Sequence, residues 1–167
     1  MDNALRGGFN IRLAESSADY QAFVDLAREY IESLGFEVDF QDVDKEIAEA
    51  ESRYGVSGQG AALLVVNQTG AIVGVAALHD LGDGICELKR MYVRPAHRGH
   101  SLGKRLCEES IRVARRLGYC AMRLDTLKRM TAARSLYESQ GFRPIPPYTI
   151  NPMPDALFYE LDLRQTS

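Results

Sequence analysis

The stretch Ile85–Lys104, ICELKRMYVRPAHRGHSLGK, decides how the rest of the chain is read. Ile85, Leu88, Met91, Tyr92 and Val93, set among polar neighbours, predict a β-strand, and Arg94-Pro95 ends it. A small-residue turn follows from Arg98 to Gly103, and then a long amphipathic helix. The first N–H groups of a helix have no partner inside it, and the aligned peptide dipoles add roughly half a positive charge there. A strand feeding a glycine-containing turn at a helix start is therefore a device for holding a phosphate. Gly99 and Gly103 allow the backbone to bend and to approach a ligand closely.

The flanking sequence supplies a sheet for this segment to sit in. Upstream, Phe9 to Leu13 reads as a first strand. A helix capped by Ser16 or Ser17 follows, with Tyr20, Phe23, Val24, Ala27, Tyr30, Ile31 and Leu34 at helical spacing and Gly35 as its stop. Asp39 to Arg53 predicts a more polar helix with Val43, Ile47 and Ala50 inward. Ala61 to Val66 and Ala71 to Leu78 form a hairpin around Asn67-Gln68-Thr69-Gly70, and Leu81-Gly82-Asp83-Gly84 is a further turn. Downstream, the helix after the turn places Leu102, Leu106, Val113, Ala114 and Leu117 on one face and Arg and Glu on the other, with Gly118 as its stop. Ala121 to Asp125 is a strand and Thr131 to Gln140 a helix stopped by Gly141. Five of the six prolines lie between Pro144 and Pro154, which makes that segment a loop or sheet edge. Leu157 to Leu163 closes the sheet. The expected fold is α/β with a central mixed sheet of about six to seven strands and helices on both faces, in the order β-α-α-β-β-β-α-β-α-β.

Composition narrows the function classes. The 167 residues fit one domain, taken as 9–165, with an ordinary 46% hydrophobic and 26% charged content. A net charge of -3 argues against a general nucleic-acid binder. The opposite charges three and four apart on the helix after Leu102 read as a solvated face. No apolar run approaches the ~18 residues of a membrane span, and the N-terminus shows no secretory signal, so a cytoplasmic protein without membrane contact is expected. Cys86, Cys107 and Cys120 have apolar neighbours and no metal-ligand spacing, and are expected to be buried free thiols. His79-Asp80, His97 and His100 are a turn pair and exposed residues rather than a metal site, and no metal is expected.

The turn is not a nucleotide P-loop. Gly99 to Gly103-Lys104 is one residue short, and Arg105 replaces the magnesium-holding Ser or Thr. It is similar to the Arg/Gln-x-x-Gly-x-Gly/Ala turn of the GNAT superfamily of acyl-CoA N-acyltransferases, reading Arg98-Gly99-His100-Ser101-Leu102-Gly103 with Ser101 at the central glycine. Ala133-Arg134-Ser135-Leu136-Tyr137-Glu138-Ser139-Gln140-Gly141-Phe142 resembles the same family's A-x-x-L-Y-x-x-x-G-F segment. An asparagine often found seven residues before that tyrosine is Met130 here, which removes one side-chain contact to the cofactor.

The resemblance implies an N-acetyltransferase that binds acetyl-CoA where two parallel strands splay apart, here those around Met91 and Leu124. It implies that Met91, Tyr92 and Val93 pair with the pantetheine arm through their backbones. It also implies that Arg98, Gly99, His100, Ser101, Leu102, Gly103 and Lys104 hold the pyrophosphate, with solvated surface as the alternative for Lys104. A strand amide at Met91 or Tyr92 would stabilise the oxyanion. Tyr137 matches the family tyrosine that protonates the leaving thiolate; a core tyrosine is the alternative. Glu87 stands where several members carry a glutamate base; a same-face pair with Lys89 is the alternative. Asp125, Thr126 and Tyr148 are candidate acceptor contacts, Asn151 could join Tyr148 in walling the pocket, and purely structural roles remain open for them.

The leading expectation is direct transfer to a primary amine, a small molecule or a protein amine, in a ternary complex. A non-catalytic acyl-CoA-binding sensor and a nucleic-acid-binding domain are the rivals. The oligomeric state is left open, with a homodimer among the options.

Overall fold

The computed structural model describes residues 7–35, 45, 48–55 and 59–165. It is a mixed α/β fold of seven strands and four helices. In chain order these are β1 (Phe9–Leu13), α1 (Ser17–Ser33), α2 (Ala50–Tyr54), β2 (Ala61–Asn67), β3 (Ile72–Gly82), β4 (Ile85–Val93), α3 (Leu102–Arg116), β5 (Ala121–Leu127), α4 (Thr131–Ser139), β6 (Arg143–Ile145) and β7 (Ala156–Asp162), with a 3-10 turn at Pro95–His97. The sheet order is β1-β2-β3-β4-β5-β7-β6, and every neighbouring pair is antiparallel except β4 and β5.

The apolar run of β2 shows why this sheet sits between two layers. Ala61, Leu63 and Val65 pack into one core with α3, while Ala62 and Leu64 pack into the other with α1 and α2. Alternate side chains of a strand point to opposite faces, so a continuous apolar run is buried from both sides. Ser16 starts α1 with a capping box. Its Oγ accepts from the Asp19 N–H at 3.1 Å, and Asp19 accepts in return from the Ser16 N–H at 3.3 Å. Leu106, Cys107, Ser110, Ile111, Val113 and Ala114 bury the sheet-facing side of α3.

Several expectations are corrected. Leu117, assigned to the inner face of α3, is 49% exposed because it is the C-cap residue, one past the last residue of the helix. His79 and Asp80 belong to β3, which runs to Gly82, so the tight turn is only Asp83-Gly84. The proline-rich segment, by contrast, is the loop and sheet edge expected of it: it contains a short edge strand, β6, where Pro144 is tolerated because edge strands need fewer ladder donors. Cys86 and Cys107 are buried, but Cys120 is exposed. Of the predicted Asp39 to Arg53 helix, Ala50 is buried in α2, whereas Val43 and Ile47 lie outside the described residues. Among the described residues no helix is long and apolar enough to cross a membrane.

Candidate active site

The parallel strands β4 and β5 pair only through Ile85–Ala121, Cys86–Met122 and Glu87–Arg123. Beyond Glu87 they separate, although β4 continues to Val93 and β5 to Leu127. A bulge drives the separation: Arg90 and Met91 together oppose Ala76 of β3, and Arg90 takes a left-handed φ of 56°. Residues after Glu87 therefore carry no ladder bonds on the β5 side.

A cleft of about 780 Å³ opens there. Met91, Tyr92, Val93, Arg98, Gly99, Ser101, Leu102 and Gly103 line it, so eight of the ten residues expected at the cofactor meet on one surface. His100 and Lys104 are placed elsewhere. The His100 ring packs on Phe9 with centroids 5.2 Å apart, and Lys104, 60% exposed, pairs with Glu108 at 4.0 Å one helical turn on. The remaining wall was not legible from motifs. Tyr30 and Ser33 of α1 and its C-cap Leu34 roof the cleft, and Arg129 to Ala133 form its far side. Glu29 holds α1 in that place by accepting from the Tyr92 hydroxyl at 3.0 Å and from Arg94 Nε at 3.1 Å.

Two helix starts face this cleft, and neither has a side-chain cap. Ser101 precedes α3 in a left-handed conformation, φ 55° and ψ 25°, and Met130 precedes α4. An N-cap serine needs an extended backbone to accept from the second or third amide of its helix, so this geometry leaves the α3 donors to a ligand. Gly99, at φ 93°, has nothing within 4 Å of where a Cβ would stand. Arg98 donates through Nε to the Val93 carbonyl at 3.0 Å and stacks over the Tyr92 ring at 5.8 Å, tying the turn to the end of β4. The arrangement is cationic and donor-rich, and it suits phosphate.

A second pocket of about 350 Å³ adjoins the first, sharing Tyr30, Leu34 and Met130. Glu87, Lys89, Arg90, Asp125 and Thr126 line it together with residues 149–153 of the proline-rich segment. Glu87 is buried, yet its Oε2 accepts from the Tyr148 hydroxyl at 2.6 Å, and its Oε1 lies 3.8 Å from Lys89 Nζ. Burial and the adjacent Glu87 carboxylate push the Tyr148 phenol well above its usual range. Asp125 accepts from Asn151 Nδ2 at 3.0 Å, and the Thr126 hydroxyl donates to Met130 Sδ at 3.8 Å.

Tyr137 of α4 is buried and lines neither pocket. Its ring packs edge-on against Phe142, and among the described residues its hydroxyl has no hydrogen-bond partner. Burial raises its pKa strongly, with Tyr30, Cys107 and Asp125 adding to the rise.

A sheet splayed beside an uncapped helix start is the framework of an acyl-carrier transferase, and comparison with known proteins agrees. Residues 21–142 match the Acetyltransferase (GNAT) family. The chain belongs to that family and is an N-acyltransferase. It is 39% identical over 148 residues to an uncharacterized N-acetyltransferase of Schizosaccharomyces pombe, covering 88% of this chain and 90% of the relative. It is 33% identical to the IAA acetyltransferase of Azospirillum brasilense, covering 92% of this chain and 99% of that one. The structure of yncA from Salmonella typhimurium with its cofactor acetyl-CoA superposes with a TM-score of 0.70 at 26% identity, covering 94% of this chain and 95% of the other.

Proposed function

We propose that the chain moves an acetyl group from acetyl-CoA to a primary amine, directly, within a ternary complex, and that residues 9–165 act as one catalytic unit. The observation that carries this reading is the junction of the splayed strands. A donor-rich cleft sized for a phosphorylated, amide-rich carrier opens into a smaller pocket containing a buried carboxylate. Met91 to Val93 offer the carrier arm the backbone groups that β5 leaves unpaired. The starts of α3 and α4 offer their first amides to phosphate.

An alkyl amine near neutral pH is mostly protonated, and a positioned base is worth about 10²–10⁴ in rate. Glu87 takes that proton, and Tyr137 returns one to the leaving sulfur. Direct transfer is favoured over a covalent enzyme intermediate by the state of the thiols. Burial pushes Cys86 and Cys107 up to about 12, which suppresses the thiolate. Cys120 precedes β5 at the end away from the cleft.

Glu87→Gln and Tyr137→Phe test the roles through release of free CoA thiol from acetyl-CoA. Glu87→Gln is expected to lower kcat/KM by about 10²-fold or more. Tyr137→Phe is expected to lower kcat by about 10-fold or more while CoA affinity stays within about 2-fold. Full turnover in both variants would remove the acid and base from these residues.

A further inference from the structure

The geometry points to Tyr148 as the positioning residue of the catalytic carboxylate, pinning one oxygen of Glu87, rather than as a contact for the acceptor. This rests on Glu87 being the base. Tyr148 is absent from the lining of the acceptor pocket, whereas its hydroxyl reaches Glu87 Oε2 at 2.6 Å. That is the distance of a charge-assisted O–H···O⁻ bond. The phenol ring is itself held from two sides: the Arg123 guanidinium lies 5.3 Å over its centre, and Phe158 packs edge-on at 5.5 Å. Arg123 is fixed in turn by Glu160 at 2.7 Å. Tyr148 is thus a rigid donor aimed at one oxygen, while the other, Oε1, lies 3.8 Å from Lys89 Nζ.

The same proline-rich segment reaches both splayed strands, through Tyr148 to β4 and through Asn151 to Asp125 of β5. A buried carboxylate would otherwise tend to bind a proton and lose its use as a base. The groups around Glu87 are Lys89 on its own strand, His79 opposite on β3, Arg123 and Asp125 on β5, Tyr30 of α1 and Tyr148. Among the described residues, Tyr148 supplies the direct hydrogen bond to this carboxylate. A donor that binds the ionised form lowers the pKa, so deleting the hydroxyl raises it.

The test is carboxyl-carbon NMR titration of the full chain labelled at glutamate, without ligands, with the Glu87 signal assigned by its loss in Glu87→Gln. Tyr148→Phe keeps the ring that Arg123 and Phe158 hold. It is expected to raise the Glu87 midpoint by about one pH unit. Asn151→Ala, which loosens the same segment without touching Glu87, is expected to leave the midpoint near the wild-type value. An unchanged or lower midpoint in Tyr148→Phe, or an equal rise in Asn151→Ala, overturns the assignment. Failure of the base reading shows separately, as full turnover in Glu87→Gln.

Discussion

Ser101 occupies a left-handed backbone position where the family turn carries glycine, and this single residue links strain to binding. A side chain in that region costs roughly 1–2 kcal/mol, partly offset by the about 0.4–1 kcal/mol of chain entropy that a glycine would lose on folding. Ser101→Gly should therefore stabilise the protein by about 0.5–1 kcal/mol, seen as a higher urea midpoint at constant slope. Ser101→Val should destabilise it, because a β-branched residue tolerates this region poorly. Equal midpoints for the two variants would mean that the turn relaxes to another conformation.

A second residue-level prediction concerns Asp19. Its carboxylate accepts two bonds from Arg12, at 2.7 and 2.9 Å, and one from the Glu15 amide at 2.9 Å. The Arg12 bond first, and the backbone amides after it, hold its carboxyl well below the usual aspartate range despite the opposing effect of burial. The unfolded chain then binds a proton that the folded chain does not, so the stabilisation is full above the unfolded value near 3.8 and fades as pH falls below it. Because the Arg12 side chain is 41% exposed, the ion pair is screened, and Asp19→Ala should cost about 1–2 kcal/mol, mostly as a lost cap. Urea unfolding from pH 6 to pH 3 should show a shallower acid loss in Asp19→Asn than in wild type.

Among the elements, the starts of α3 and α4 carry the binding account. At Gly103 a Cβ would meet only Leu136 Cδ2 at 4.0 Å, so a side chain fits there without strain. Gly103→Glu should separate folding from binding. A carboxylate in the first turn favours the helix dipole and replaces a poor helix former, so thermal stability should hold or rise. The same charge faces the proposed phosphate site, and calorimetry should show CoA affinity reduced at least about 10-fold, since about 1.4 kcal/mol of repulsion suffices. Unchanged affinity would place the phosphates elsewhere. At this scale the elements themselves were readable, because the α1 and α3 stripes have an unambiguous helical period and the short β2 apolar run is bounded by turn residues. β6 escaped because three residues around Pro144 carry no alternation, and it forms only against β7. The α1 roof and the α4 start also escaped, since nothing local in Tyr30, Ser33 or Thr131 marks which cleft a folded chain will turn them toward. Glu87, Tyr137 and the glycine turn could be singled out as candidates from the sequence through the family resemblance. The partnership of Tyr148 with Glu87, 61 residues apart in sequence, was not.

For the whole molecule, the sheet acts as a wall that hides two thiols and leaves the third outside. Cys86 and Cys107 lie in the core, and Cys120 stands at the surface. An exposed-thiol reagent should titrate one cysteine rapidly in the native protein and all three in denaturant. Fast reaction of two or three native thiols would contradict this layering. The proposed role of the splayed strands is that of a transferase site for acetyl-CoA and an amine. Its most direct measurement is free-thiol release from acetyl-CoA across a panel of primary amines and amine-bearing peptides, run beside CoA binding by calorimetry. Binding is expected together with acceptor-dependent release that Glu87→Gln strongly reduces. Measurable CoA binding with no release for any amine would contradict it and leave a binding module in its place.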